Sequence, residues 1–237
     1  MGETAAAINI LFVCSGNIMR SVVSECVLRA RTREILGETD GLMTAESCGL
    51  EAQPEMPPHE QARIALEYLG VSLCDTKASR ADEDHMRRCD LAITMTRQQS
   101  YILASRFPDQ IRKCFSLIEL NGVIDTQLEL RGTSLASRDW EGEARGLTAG
   151  ELGRGLELAA DILTIVPREL MRPIAGVNLY IAELLLLFSP CYHQVSGVHD
   201  PIGGSLEETQ KCARLLDSEV TLLLRGLLAL AICELSS

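Results

Sequence analysis

Cys14 and Arg20 bracket Ser15, Gly16, Asn17, Ile18 and Met19, so a thiol and a guanidinium stand at the two ends of a seven-residue loop. Such a loop suits a phosphate. When the chain wraps, successive backbone N–H groups point inward, a following helix start adds positive partial charge, and Arg20 offers two parallel donors to phosphate oxygens. A field that binds dianions also favours the thiolate, the species that attacks phosphorus, so Cys14 reads as a nucleophile. Spacing alone does not single it out, because Cys74 and Arg80 repeat the Cys-x5-Arg pattern. That second match has no apolar strand before it and no glycine to let the backbone curl, and Asp75 would repel a phosphate. The other eight of the nine cysteines read as small buried apolar residues in a reducing compartment, since their number is odd and their spacing irregular.

The loop needs a strand to deliver it and a helix to receive it. Ile8 to Val13 is a short, nearly continuous apolar run, as in a strand buried on both faces, and a helix follows from Arg20 to Leu36, with Val22, Val23, Cys26, Val27 and Ala30 on one face and Gly37 at its stop. Further strands fit 42–47, 91–95 and 113–117. Helices fit the stretch from Pro57-Pro58 to Gly70 and 98–107. This alternation predicts an α/β fold: a four-stranded parallel sheet with helices on both faces, which binds ligands beyond the carboxyl ends of its strands. Cys14 lies at that edge. From Asn121 to Gly197 the rhythm breaks, with a Gly-rich charged stretch and then helical patterns near 150–165 and 168–188. The chain is read as a single domain, 1–237, with 122–197 as a helical insertion. A Leu-rich final helix is expected over 205–235, kinked near Gly226.

Bulk properties narrow the partners. A formal charge of -11 disfavours a protein that neutralises nucleic-acid backbones. The most apolar stretches, 177–188 and 221–233, are short and carry Glu183 and Arg225, so they read as buried helices rather than membrane spans. The first six residues show neither a basic-then-apolar leader nor an acylation pattern, which points to the cytoplasm. His193 and His199 near Cys191 offer too few ligands for zinc, and neither a metal nor another cofactor is expected.

The segment Ile10-Leu11-Phe12-Val13-Cys14-Ser15-Gly16-Asn17-Ile18-Met19-Arg20-Ser21 resembles the signature loop of low-molecular-weight protein tyrosine phosphatases. Glu46-Ser47-Cys48-Gly49 and Asp90-Leu91-Ala92-Ile93-Thr94-Met95 resemble that family's second- and third-strand segments, and His199-Asp200-Pro201-Ile202-Gly203-Gly204-Ser205 resembles its late Asp-Pro loop. The resemblance covers 8–121 and 198–233. It implies a Rossmann-like phosphatase fold and a two-step reaction: Cys14 attacks phosphorus while Asp200 protonates the leaving oxygen, and Asp200 then activates water against the cysteinyl-phosphate. Arg20 and the amides of residues 15–20 would hold the phosphate, and Asn17, Ser21 and Ser47 would support the loop and thiolate.

Some positions depart from the family pattern. Met19 replaces a common second cysteine, Thr76 a frequent histidine, and Ile202 an aromatic residue of the rim. Ile18 is bulky where phosphoarginine-directed relatives tend to carry threonine, which leans toward protein phosphotyrosine or another aryl phosphate. A biosynthetic phosphatase acting on a small metabolite is the alternative; an arsenate reductase or a non-catalytic phosphate-binding module ranks lower. The insertion is expected to form a cap or docking arm at the active-site rim, or else an added helical layer or homo-oligomer contact.

Overall fold

The computed structural model describes residues 7–164 and 197–236. Its centre is a four-stranded parallel sheet ordered β2-β1-β3-β4, made of β1 (Ile8–Cys14), β2 (Met43–Gly49), β3 (Leu91–Thr94) and β4 (Cys114–Ser116). β1 is central because both its faces are apolar. Ile8, Ile10 and Phe12 enter one core, and Leu11 and Val13 enter the other. The register sets Cys14 opposite Gly49 and Phe12 opposite both Ser47 and Ile93. Since the sheet order reverses between β1 and β3, the loop after β1 opens at the switch point, where a parallel sheet leaves a crevice.

Helix α1 (Arg20–Leu36) leaves that loop directly, and buries Val22, Val23, Cys26 and Val27 against the larger core. After β2, His59 caps α2 (Glu60–Leu69) through its ring nitrogen, and Gly70 closes the helix in the left-handed region at φ 67°. Short α3 (Glu83–Arg88) and α4 (Arg97–Arg106) cover the other face, where Met86 and Leu103 pack on Leu11, Val13 and Ala92. The sequence reading did not anticipate α3, whose single turn and a half buries only Met86.

The segment beyond β4 differs from expectation. Asn121 does not begin a break: it lies inside α5 (Leu117–Leu130), which opens on a Ser116–Glu119 capping box and buries Leu117, Leu120, Ile124 and Leu128. α6 (Trp140–Gly146) and α7 (Ala149–Thr164) follow, and α5, α6 and α7 all pack on the final helix α8 (Leu206–Leu235). A cap at the rim would bring these helices to the carboxyl edge of the sheet. Instead Gly153 of α7 approaches Ala7 and Leu42, at the amino ends of β1 and β2. At Gly153, then, α7 packs at the edge of the sheet opposite Cys14. The helical pattern expected over 168–188 lies outside the described residues. Gly226 also has a different role from a kink. α8 runs through it, and a Cβ there would meet Ile124 Cγ2 at 2.6 Å, so the glycine allows α5 and α8 to touch. Leu216, Leu223, Leu224, Leu227 and Leu228 of α8 are fully buried, and at roughly 1.5–3 kcal/mol per side chain this helix outweighs any single hydrogen bond in the site. Among the described residues no helix is long and apolar enough to cross a membrane.

Candidate active site

Residues 14–21 turn tightly between β1 and α1. Asn17 takes the left-handed conformation at φ 52°, which asparagine tolerates better than most residues, and its amide donates to Cys14 Sγ at 3.3 Å. Ser21 Oγ lies 3.1 Å from the same sulfur. The Asn17 side chain is fully engaged. Its Nδ2 donates to Ser21 Oγ at 3.0 Å and to Ser47 Oγ at 2.9 Å, while Oδ1 accepts from the Ser79 amide at 2.9 Å. Ser47 Oγ in turn donates to Glu25 Oε2 at 2.6 Å. A buried chain thus runs from Glu25 through Ser47, Asn17 and Ser21 to Cys14, and leaves the hydroxyls little freedom in which way they point. Burial pushes the Glu25 carboxyl up, opposed by the Ser47 hydrogen bond and the Arg29 charge.

The loop rests on the start of the segment after β2. Leu50 N donates to Cys14 O and Glu51 N to Ser15 O. Between them, a Cβ on Gly49 would lie 2.8 Å from both Asn17 N and Ser15 O, two backbone atoms that cannot swing aside. Gly49→Ala should therefore displace the loop and destabilise the fold by about 1–3 kcal/mol, in the range for overpacking. Urea unfolding checks this: an unchanged midpoint together with unchanged phosphate affinity would show that the contact is not constraining.

Arg20 connects the loop to a distant part of the chain. Its Nη1 donates to Val198 O at 3.1 Å and its Nη2 pairs with Asp200 Oδ2 at 2.6 Å. Arg20 is 5% exposed, and its Nε is buried with no hydrogen-bond partner. A free donor in a buried guanidinium beside Cys14 is what an anion's oxygen would satisfy. Helix α1 meanwhile starts with neither a side-chain cap nor an acidic residue in its first turn, so its orphan amides add to the same positive end.

Several contacts hold Asp200 in reach. Gly197 bridges Thr96, and Val198 N donates to Met95 O at 2.8 Å, which ties the segment to the end of β3. Gln61 of α2 donates to Pro201 O at 2.8 Å, Gly204 O at 3.2 Å and Thr209 Oγ1 at 3.0 Å, and accepts from Gly203 N at 3.2 Å. The Ser205–Glu208 capping box then starts α8.

The structure brings the expected residues into two contact groups: hydrogen bonds join Cys14, Asn17, Ser21 and Ser47, and Arg20, at the other end of the same loop, pairs with Asp200. Ser15 and Ile18 lie on the loop with less burial, Ser15 Oγ accepting from Gln99 Nε2 at 3.0 Å and Ile18 O from His59 N at 2.7 Å. Met19 points into the core. The other Cys-x5-Arg match follows α2 rather than a strand, and Arg80 only bridges Gly49. Glu25, Gln61, Ser79 and Gln99 were not anticipated. Glu25 had a signal, being a carboxylate on the apolar face of α1 between Val23, Cys26 and Val27. The other three had none, since their partners come from tertiary structure.

Comparison with known proteins decides the family. The model of the low molecular weight phosphotyrosine protein phosphatases matches residues 9–130, just over half of the chain. The chain belongs to that family. Like the family, it is a cysteine-dependent phosphatase, hydrolysing phosphoric monoesters. A protein-arginine-phosphatase of Bacillus subtilis is 30% identical over 114 residues, which cover 47% of this chain and 71% of that protein. A low molecular weight protein-tyrosine-phosphatase of Acinetobacter johnsonii is 26% identical over 109 residues, covering 46% and 71%. Among solved structures, a low molecular weight protein tyrosine phosphatase from Bacillus subtilis superposes with a TM-score of 0.56 at 20% identity, covering 93% of this chain and 97% of that one. The residues matched by this low molecular weight phosphatase model run from β1 through α5, and α6, α7 and the Asp200 loop lie beyond them.

Proposed function

We propose that this phosphatase removes phosphate from protein phosphotyrosine or a similar aryl phosphate through a cysteinyl-phosphate on Cys14. The observation that carries the reading is the reach of Arg20, which joins the Cys14 loop to Asp200, 180 residues later, through a 2.6 Å ion pair. A guanidinium on the same loop as a thiol, paired with a carboxylate, supplies the set that in-line phosphoryl transfer requires: charge clamp, nucleophile and acid.

The sulfur attacks phosphorus from the base of the loop, supported by Ser21 Oγ and the Asn17 amide. Arg20 Nε and Nη2 take the equatorial oxygens together with the amides of residues 15–20. The phosphate thereby competes with Asp200 for Nη2, and the carboxylate released from the ion pair takes up a proton from solvent and passes it to the leaving oxygen. In the second step Asp200 takes a proton from water, whose oxygen attacks phosphorus and releases Cys14. No resident metal enters this scheme.

A second reading, protein phosphoarginine, is favoured by the 30% identity to an arginine phosphatase. Against it stands Ile18, whose side chain lies along the loop beside Gly16 and offers no hydrogen bond to a guanidino nitrogen. Ile202, two residues after Asp200, is more than a third exposed and offers an apolar surface beside the acid, in place of the aromatic residue that the resemblance implies there. The test is turnover of p-nitrophenyl phosphate beside peptides bearing phosphotyrosine, phosphoserine or phosphoarginine and a set of sugar and nucleoside phosphates. The phosphotyrosine peptide should exceed the phosphoarginine peptide by about tenfold in kcat/KM, equivalent to about 1.4 kcal/mol. The reverse order would establish the second reading, and preference for a small phosphate would make the enzyme biosynthetic.

A further inference from the structure

Two thiols outside the catalytic chain lie against each other at the end of α2. Cys26 is on the buried face of α1, 1% exposed, and receives the Cys74 amide on its sulfur at 3.1 Å. Cys74 is half-buried, and both cysteines are reduced. A backbone amide this close to the other residue's sulfur leaves the two side chains within reach of one another. We propose that Cys74 and Cys26 form a peroxide-responsive pair, distinct from Cys14, in which Cys74 is oxidised first and Cys26 converts it to a disulfide.

The environments differ in the sense this order needs. Hydrogen bonding from the Cys26 thiol, joined by the Arg29 guanidinium, holds Cys74 below the ordinary thiol range, whereas the same contact and burial push Cys26 up. Elsewhere burial pushes Cys89 to about 11, Cys114 to about 12 and Cys212 to about 11, which keeps them as inert thiols. Cys74 thus combines partial exposure, a hydrogen bond and a nearby guanidinium that favour its ionisation, and an adjacent resolving thiol. In the first step its thiolate attacks one oxygen of hydrogen peroxide, the O–O bond breaks, hydroxide leaves and the sulfur becomes a sulfenic acid. Cys26 sulfur then attacks the Cys74 sulfur, the S–O bond breaks, and the departing hydroxide takes the Cys26 proton as water. Overall, two thiols and one peroxide give a disulfide and two waters.

Position gives the bond a consequence. Arg29 also pairs with Glu25 at 2.7 Å, the far end of the chain leading to Cys14, and the stretch that follows Cys74 carries Ser79, which donates to Asn17 Oδ1. A disulfide would fix that stretch to α1 just before it reaches the loop.

The proposal does not depend on the catalytic assignment, and its test avoids activity altogether. The full chain carrying Cys14→Ser is treated with graded hydrogen peroxide, digested without reduction and mapped by mass spectrometry. The expected result is a peptide linking Cys26 to Cys74 within one chain, loss of two titratable thiols per molecule, and return of both on treatment with dithiothreitol. Adding Cys74→Ser, a change of one atom at a half-buried position, should abolish the link. Adding Cys26→Ala should drive Cys74 on to the sulfinic acid. Survival of both residues as thiols at peroxide levels that oxidise free glutathione, or linkage of Cys74 to any other cysteine, would overturn the proposal.

Discussion

Cys14→Ser is expected to lower turnover of p-nitrophenyl phosphate by about 10^4-fold or more, a loss typical of removing a covalent nucleophile, while vanadate and phosphate still bind. The two effects separate because they belong to different atoms. Attack needs a sulfur that ionises easily, and a serine hydroxyl at the same place has no base beside it, since Ser21 Oγ and the Asn17 amide are placed to support an anion rather than to remove a proton. Binding needs the loop amides and Arg20, which the substitution leaves in position. Calorimetric titration with phosphate and stopped assays over hours supply both readings. Appreciable steady hydrolysis by the serine variant would remove Cys14 from the nucleophilic role.

Asp200→Ala carries the second large effect. General acid catalysis contributes about 10²–10⁴-fold, and it matters most when the leaving oxygen is strongly basic, so alkyl and phenyl phosphates should lose far more than p-nitrophenyl phosphate. The same variant makes a prediction of opposite sign for binding. The Asp200 carboxylate is 2.6 Å from Arg20 Nη2, where it competes with a phosphate oxygen, so its removal should leave phosphate affinity equal or tighter. A plot of rate against leaving-group basicity checks the first effect: a uniform loss across the series would take the acid role from Asp200. Weaker phosphate binding would show that the ion pair supports the anion site instead of competing with it.

These expectations were legible because their residues are close in sequence or sit at a recognisable chain position. The strand-loop-helix unit of 8–36 follows from a doubly apolar run, a polar turn with a glycine and an apolar helical face, all local properties. Asp200 was legible through the resemblance of residues 199–205 to the family's Asp-Pro loop, together with its place before the last helix. Contacts made across the fold were not. Gln61 is an ordinary polar residue in α2 until Pro201, Gly203, Gly204 and Thr209 arrive around it. Helix α5 was missed because Gly122 and Asn121 weaken its propensity, and what holds it is burial of Leu120, Ile124 and Leu128 against α8. Tertiary packing overrode a poor local signal there. The packing of α7 was not legible for a related reason. The insertion's ends lie at the carboxyl edge of the sheet, but α7 carries an apolar face that finds cover on α8 and on the amino ends of β1 and β2, and burial decided where it went.

The central claim is a phosphoryl group carried on one sulfur, and the direct measurement is its capture. Asp200→Ala should slow both steps, so enzyme mixed with p-nitrophenyl phosphate and quenched in acid within milliseconds to seconds can be digested and mapped by mass spectrometry. A single phosphoryl adduct on the peptide that contains Cys14, appearing with a burst of p-nitrophenol and absent from Cys14→Ser, is the predicted result. Turnover with no adduct and no burst, or an adduct on any other residue, would contradict the account.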